Sequence, residues 1–291
     1  MNKYTLMREE LQDTYGILEL QNKILEIAQY LDEFCQKHQI VYYLMGGSAL
    51  GAMRHGGFIP WDDDLDVFMD FKNYRKFIEV CKTELDTTRF YFQQEDSAQL
   101  PYFFSKLRMN ATACIEEGWK HRKDMHQGIF VDIMCLYNAA PTKPGRIIQY
   151  YAAALLKAKA VTKSRYHTDS KLKKIQLLIA KYGVNIFTKP ILIYLVRRYS
   201  NKATDTLAHI FGRAKFKNSF YPIIDFGTAR YVPFEKIKLP VPQNVEDYLT
   251  RRYGPHYMQM PDEKTKALYQ THAMRWSTTR DYTELLKEET L

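Results

Sequence analysis

The chain is 291 residues long, 46% hydrophobic, and contains 22 tyrosines and 16 phenylalanines. That composition excludes an intrinsically disordered protein, and the length suits one large domain or a catalytic domain with an annex. The 42 basic and 33 acidic side chains leave a formal charge of +9, with the excess concentrated in residues 146–202, where 13 Lys and Arg face the single acid Asp169. Such a field attracts phosphates, nucleic acid or anionic lipid without telling them apart, and it equally describes a solvated helical face. Cys35, Cys81, Cys114 and Cys135 form no CxxC pair and lie among apolar residues, which predicts free core thiols and a reducing compartment. The opening MNKYTLMREELQDTYG lacks the apolar run of a signal peptide, and Ile191 to Val196 is far too short to cross a bilayer. The expected location is cytoplasmic, with peripheral contact at the inner face of a membrane.

In chain order, Leu20, Ile24, Ile27, Leu31 and Phe34 recur at three- and four-residue intervals and predict an amphipathic helix over residues 17–38. Val41 to Met45 suits a short buried strand. Gly46, Gly47 and Ser48 then break the pattern before a short helix from Ala49 to about Arg54. After Phe58, Ile59, Pro60 and Trp61 come Asp62, Asp63 and Asp64. The alternation Asp64, Leu65, Asp66, Val67 predicts a strand with both aspartates on one face. Phe71, Tyr74, Phe77, Ile78, Cys81 and Leu85 return to helical spacing. Residues 89–93, 102–108 and 111–116 read as antiparallel strands joined by polar turns. A charged segment with His121 and His126 leads to the apolar run Ile129 to Met134, which contains one acid, Asp132.

The Pro- and Gly-punctuated segment 140–145 marks a boundary between a catalytic core, 1–140, and a mostly helical region, 141–291. Three basic helices are expected near 146–164, 169–182 and 190–200. A turn at Asp225-Phe226-Gly227, a proline-rich linker over 232–242 and a helix near 245–252 follow. The fold class is α/β (α+β), a mixed sheet flanked by helices with a basic helical annex.

Acid clusters usually mark solvated loops, but Asp64 and Asp66 sit within an apolar alternation. Two carboxylates on one strand face, with Asp132 from a neighbouring strand, form an oxygen-rich set suited to magnesium or manganese. A structural acidic loop is the competing reading. The Gly46-Gly47-Ser48 turn allows close backbone approach, and amides at a helix start can face an anion. It matches neither the Walker pattern nor the GxGxxG fingerprint.

Residues Met45 to Val67, MGGSALGAMRHGGFIPWDDDLDV, resemble the signature of the LicD phosphotransferases, relatives of the fukutin proteins within the nucleotidyltransferase superfamily. The family's glycine-serine turn and Asp-x-Asp are matched by Gly47, Ser48, Asp64 and Asp66. Its third carboxylate is matched by Asp132, its basic strand by Lys106 and Arg108, and its closing segment by Tyr248 to Pro261. No compact Cys-His cluster supports the zinc insert of some relatives. The resemblance implies a nucleotidyltransferase-like fold and a Mg2+ site (Mn2+ as substitute) at Asp64, Asp66 and Asp132, which would also be the catalytic residues. It implies transfer of phosphocholine, or a similar alcohol or sugar phosphate, from a CDP-linked donor to a glycan or lipid-linked glycan of teichoic acid, capsule or lipopolysaccharide type. Gly46, Gly47, Ser48, Arg54, Lys106 and Arg108 are the expected donor-binding residues. His55, Asp62 and Asp63 lie close enough in sequence to assist, Trp61 is either core or a stacking surface, and Tyr253 and Gly254 are expected to end a helix.

Two other classes remain open from sequence. One is transfer of the nucleotidyl group itself to a small phosphate or sugar. The other is a non-catalytic protein that binds anionic ligands or nucleic acid through residues 146–202, although no nucleic-acid motif is present and nucleic acid is not an expected partner. The segment Ile191 to Val196 beside Arg197 and Arg198 reads equally as a core helix or as an interfacial one.

Overall fold

The apolar stripe of residues 20–34 forms the helix that its spacing predicts. In the computed structural model, which describes residues 13–164, 166–212, 214–266 and 273–288, α1 runs Leu18–Lys37 and buries Leu20, Ile24, Ile27, Leu31 and Phe34. The signal-peptide reading falls largely on residues 1–12, outside the described residues. β1 is only Tyr43–Leu44, and α2 (Gly46–His55) follows at once. The Gly-Gly-Ser segment is thus the first turn of α2 rather than a turn before it. Gly46 permits this with a φ of +53° directly after extended Met45, a corner that only glycine turns without strain.

β2 (Asp66–Asp70), α3 (Phe71–Glu84), β3 (Phe90–Gln93), β4 (Ser105–Met109), β5 (Ala113–Glu116) and β6 (Phe130–Asn138) come next. Asp70 caps α3 by accepting from the Asn73 amide, as a short acidic side chain does at that position. The sheet order is β1-β2-β6-β4-β3, with β2 and β6 parallel and the other pairs antiparallel. β7 (Thr206–Ala208) pairs with the end of β6, and β8 (Phe220–Pro222) pairs with β7. Helices α1 and α3 pack on β6, and α3 also on β2. The result is a nucleotidyltransferase-like mixed sheet flanked by helices.

The basic region forms α4 (Lys143–Val161), α5 (Lys171–Gly183) and α6 (Thr188–Arg197). Thr142 caps α4 and Pro144 occupies its first turn, where the missing N–H costs nothing. Ala152, Ala153 and Leu156 of α4 share one core with Leu20, Val67 and Ile133, so packing is continuous across residue 140.

Strand assignments beyond β4 differ from those read in the sequence. Residues 232–242, expected to be a linker, form the hairpin β9 (Arg230–Phe234) and β10 (Ile237–Val241), with Pro233 opposite Lys238 and Pro240 opposite Tyr231. A two-stranded ribbon consists only of edges, where proline's missing donor is tolerated. After α7 (Val245–Tyr253) and α8 (Glu263–Lys266) comes β11 (Ala273–Ser277), then α9 (Tyr282–Glu288). β5 pairs with β11 rather than with β4, so the end of the chain closes over residues 113–116.

Gly51 lies where α2 crosses the loop that leads to the aspartates. A Cβ there would stand 2.4 Å from the Gly57 carbonyl oxygen and 3.2 Å from the Ile59 amide, both backbone atoms. Gly51→Ala is expected to destabilise the fold by about 1–3 kcal/mol, read as a drop in melting temperature of roughly 2–4 °C per kcal/mol. An unchanged melting curve would show that the crossing relaxes freely.

Candidate active site

The sheet places four polar residues in one cross-strand row. Asp66 on β2 is in parallel register with Asp132 on β6, Asp132 is opposite Lys106 on β4, and Lys106 is opposite Gln93 on β3. Register partners share a face, so the Asp66 and Asp132 carboxylates stand side by side at the strand spacing. Lys106 Nζ lies 3.1 Å from Asp132 Oδ1 and 3.4 Å from Glu116 Oε2, over the Phe130 ring at 3.2 Å from its centroid. The strand itself starts at Asp66, so Asp64 belongs to the loop before it and not to the ladder, contrary to the alternation in sequence. The backbone still ties them, since the Asp132 amide donates to the Leu65 carbonyl.

Asp62, Asp63 and Asp64 bring carboxylate oxygens within 4.8 Å of one another, a group capable of holding a divalent cation. Several elements fix this loop. Gln21 of α1 donates to the carbonyls of Ile59 and Asp62 at 3.1 and 2.7 Å. Glu235, at the tip of the β9–β10 hairpin, accepts from the Phe58 amide at 2.9 Å while its own amide donates to Gly56. Asp63 Oδ2 accepts from the Ala273 amide of β11 at 2.7 Å, so Asp63 braces the loop. Asp62 instead reaches α2: a Cβ on Gly47 would lie 2.6 Å from Asp62 Oδ2.

Helix α2 locks to the same strand. Ser48 is buried, and its hydroxyl accepts from the Asp66 amide at 2.9 Å, which positions Asp66 rather than leaving the hydroxyl for a ligand. The Gly46 amide donates to the Tyr248 hydroxyl of α7 at 2.9 Å. First-turn amides of a helix have no intrahelical acceptor, so Gly47 and Ser48 set their N–H groups at the mouth of α2.

Electrostatically the acids oppose one another. Burial, then Asp64, Asp132 and Asp62, hold the Asp66 carboxyl well above the usual carboxylate range, and only Arg252 pulls it down. Burial, then Asp64 and Asp63, do the same to Asp62. Burial raises Asp132 to about 6 against the pull of Lys106. Asp66 Oδ1 is buried with no hydrogen-bond partner among the described residues. A cluster of raised carboxyls with an unsatisfied buried oxygen fits a bound cation, whose charge offsets both burial and repulsion.

Arg252, on the last turn of α7, is the residue that the sequence did not single out. Its guanidinium lies 3.5 Å from where a Gly46 Cβ would be, its Nε is buried with no hydrogen-bond partner among the described residues, and its field acts on Asp66. The pair Arg251-Arg252 just before Gly254 was the available signal. Arg251 turns away to Asp225 at 3.0 Å, and Arg252 turns in.

Other expected residues are occupied elsewhere. Arg54 is buried and donates to the carbonyls of Tyr257 and Gln259, both at 3.1 Å, which ties the closing segment to α2. Arg108 is buried and donates to Gln93 at 2.6 Å and Gly128 at 2.7 Å, with Glu116 3.7 Å away. His126 accepts from the Gly128 amide and bonds Asn110 through its other nitrogen, so both ring nitrogens are used in the fold. His55 packs edge-on to Trp61, and burial lowers its pKa to about 4. Trp61 in turn lies under the Lys266 ammonium at 5.0 Å. His121 stacks on Trp119. Tyr253 ends α7, and Gly254 follows with a φ of +90°.

Comparison with known proteins converges on the same segment. Residues 39–113 match the family described as LicD/FKTN/FKRP, nucleotidyltransferase domain. The chain is 27% identical over 250 residues to lipopolysaccharide cholinephosphotransferase LicD of Haemophilus influenzae, which covers 82% of this chain and 90% of that one. It is 48% identical over 42 residues to human ribitol 5-phosphate transferase FKRP, covering 14% of this chain and 8% of that protein. The matched residues include α2, the aspartate loop, β2 with Asp66 and β4 with Lys106, while β6 with Asp132 lies beyond them. Over residues 39–113 the chain is similar to the nucleotidyltransferase domain of the LicD family, and over 250 residues to a LicD protein.

Proposed function

We propose that this chain is a metal-dependent transferase that moves a substituted phosphate, phosphocholine or a similar alcohol or sugar phosphate, from a CDP-linked donor to a cell-surface glycan or its lipid-linked precursor. The observation that carries the reading is the register pair Asp66 and Asp132, with a buried unpaired oxygen on Asp66, beside the glycine-opened mouth of α2. Asp64, Asp66 and Asp132 are the residues that would hold Mg2+, with Asp62 within reach of Asp64. Bound there, the ion supplies positive charge against a diphosphate and Lewis acidity at phosphorus.

The protein's own groups supply the rest. The Gly47 and Ser48 amides at the start of α2 and the Arg252 guanidinium beside Gly46 suit the non-bridging oxygens of a donor. Lys106, held over Phe130 and paired with Asp132, can shift toward the charge that spreads on the transferred phosphoryl oxygens. A carboxylate in this row orients the acceptor hydroxyl and takes its proton as the new P–O bond forms, while the nucleoside monophosphate leaves with the bridging oxygen.

Arg252→Gln tests the donor side. Loss of a charge-assisted contact is expected to reduce kcat/KM by about 10- to 100-fold, mostly through the donor KM. A variant with unchanged donor KM would remove Arg252 from the site.

The reaction itself is tested by mass spectrometry of products formed from a panel of CDP-linked alcohols and nucleoside triphosphates with Mg2+ and extracted membrane glycans. CMP release with a matching mass gain on a glycan supports the proposal and names the headgroup. A product that retains the nucleotide assigns nucleotidyl transfer instead. No metal-dependent turnover across the panel points to a binding protein.

A further inference from the structure

Helices α5 and α6 present an apolar face that nothing among the described residues covers. Leu172, Ile175, Ile179, Tyr182 and Ile186 recur at alternating three- and four-residue steps along α5 and into the elbow. This is the spacing of a core stripe, yet Leu172 and Ile186 are each 80% exposed, Phe187 77% and Tyr182 69%. Only Ala180 of α5 is buried. Ile191 and Tyr194 extend the face along α6. Between the helices, a groove of about 290 Å³ opens, lined by Leu155, Ile179, Val184, Ile191 and Leu192. Contiguous apolar surface of this extent is rare on a protein that meets only water.

The charge around the face identifies what covers it. Lys171, Lys173, Lys174 and Lys181 flank the stripe, and residues 170–204 contain no Asp or Glu. A second copy of the chain docked face to face would set these lysines against one another, whereas an anionic surface complements them. Geometry limits the depth. No single helix among the described residues is long and apolar enough to cross a bilayer, and α5 and α6, which together have the length and apolarity of a span, are bent by 111° at the elbow. The elbow is fixed to the catalytic sheet: Arg197 pairs with buried Glu95 at 2.7 Å, Lys189 pairs with Asp96, and Gln149 of α4 donates to the Val196 carbonyl at 2.8 Å.

We infer that the α5–α6 elbow is a membrane-docking surface that inserts Ile186, Phe187 and the α5 stripe into the interface of an anionic bilayer, with its lysines among the headgroups. Docking would hold the sheet and its row of acids at a fixed orientation to the lipid surface. The inference does not depend on the chemistry at Asp66.

Sedimentation of the full chain with vesicles tests it. Wild type is expected to pellet with phosphatidylglycerol-containing vesicles, far less with phosphatidylcholine alone, and to dissociate as salt rises above about 0.1 M. The double variant Ile186→Ser/Phe187→Ser is expected to bind about 100-fold more weakly, and Lys173→Glu/Lys174→Glu on the order of 20-fold or more. Both change exposed positions, and their circular dichroism should match wild type. In Phe187→Trp, added fluorescence should shift to the blue and be quenched by brominated acyl chains. Wild type left in the supernatant at low salt overturns the inference. So does unchanged binding of the Ile186/Phe187 variant, which reduces the attraction to charge alone. A dimer in light scattering that the same variant dissolves assigns the face to a second copy and also overturns it.

Discussion

Asp66→Asn is expected to lower metal-dependent turnover by at least about 1,000-fold while leaving the melting temperature in EDTA equal to or above that of wild type. The two halves of this result have one cause. Burial and the neighbouring Asp64, Asp132 and Asp62 all disfavour the charge of Asp66, and its buried Oδ1 has no hydrogen-bond partner among the described residues. Removing that charge relieves repulsion in the empty protein, and the new carboxamide N–H finds carboxylate acceptors on either side. Removing it also takes away the ligand best placed to share an ion with Asp132. Asp63→Asn is the control. Asp63 accepts the Ala273 amide, and the asparagine carbonyl accepts it equally well, so turnover should stay within about tenfold of wild type. Equal activity in Asp66→Asn and Asp63→Asn, measured with saturating Mg2+, would make the cluster a structural loop.

The site's acids were legible in sequence because they are local or interrupt an apolar run. Gly46 to Asp66 forms one continuous stretch, and Asp132 stands alone among aliphatic residues. What failed was the boundary: alternation from Asp64 to Val67 looks like strand, but Gln21 and Glu235 hold the aspartate loop in place and pairing begins only at Asp66. Neither Gln21 nor Glu235 has a sequence signature, since each acts through one contact distant in the chain. Arg54 and Arg108 show what residue type leaves out. Cations within a motif suggest phosphate binding, yet both are buried against carbonyl oxygens, a role that residue type cannot reveal. Arg252 was hidden because only the crossing of α7 over the start of α2, through Tyr248 and Gly46, brings it to the acids. The pairing of β5 with β11 joins distant segments and leaves no local mark.

The metal-free cluster should also reveal itself through pH. Asp132 titrates at about 6 in the folded protein against an ordinary carboxylate value of 3.8. The folded state therefore holds a proton over that window that the unfolded state has lost, and stability from this group is present below about 4 and lost as pH rises through about 6. The effect is on the order of 2–3 kcal/mol. Three histidines act with the opposite sign: burial of their rings lowers the half-buried His55 and His126 to about 4 and the buried His209 to about 3, so they favour the fold as pH rises toward the ordinary histidine value. A simple melting curve against pH mixes these contributions, but comparison with Asp132→Asn isolates the carboxyl because the histidines are common to both. In EDTA, the variant should gain on wild type as pH rises from about 4 to about 7. Addition of Mg2+ at neutral pH should then raise the wild-type melting temperature, by an amount equivalent to about 2.7 kcal/mol at a hundredfold excess over its Kd, with a much smaller rise in the variant. The Mg2+ effect should fade below about pH 6, where protons displace the ion from the same oxygens. A constant gap between the two proteins across pH, together with indifference to Mg2+, would mean that Asp132 is neutralised by Lys106 alone and holds no metal.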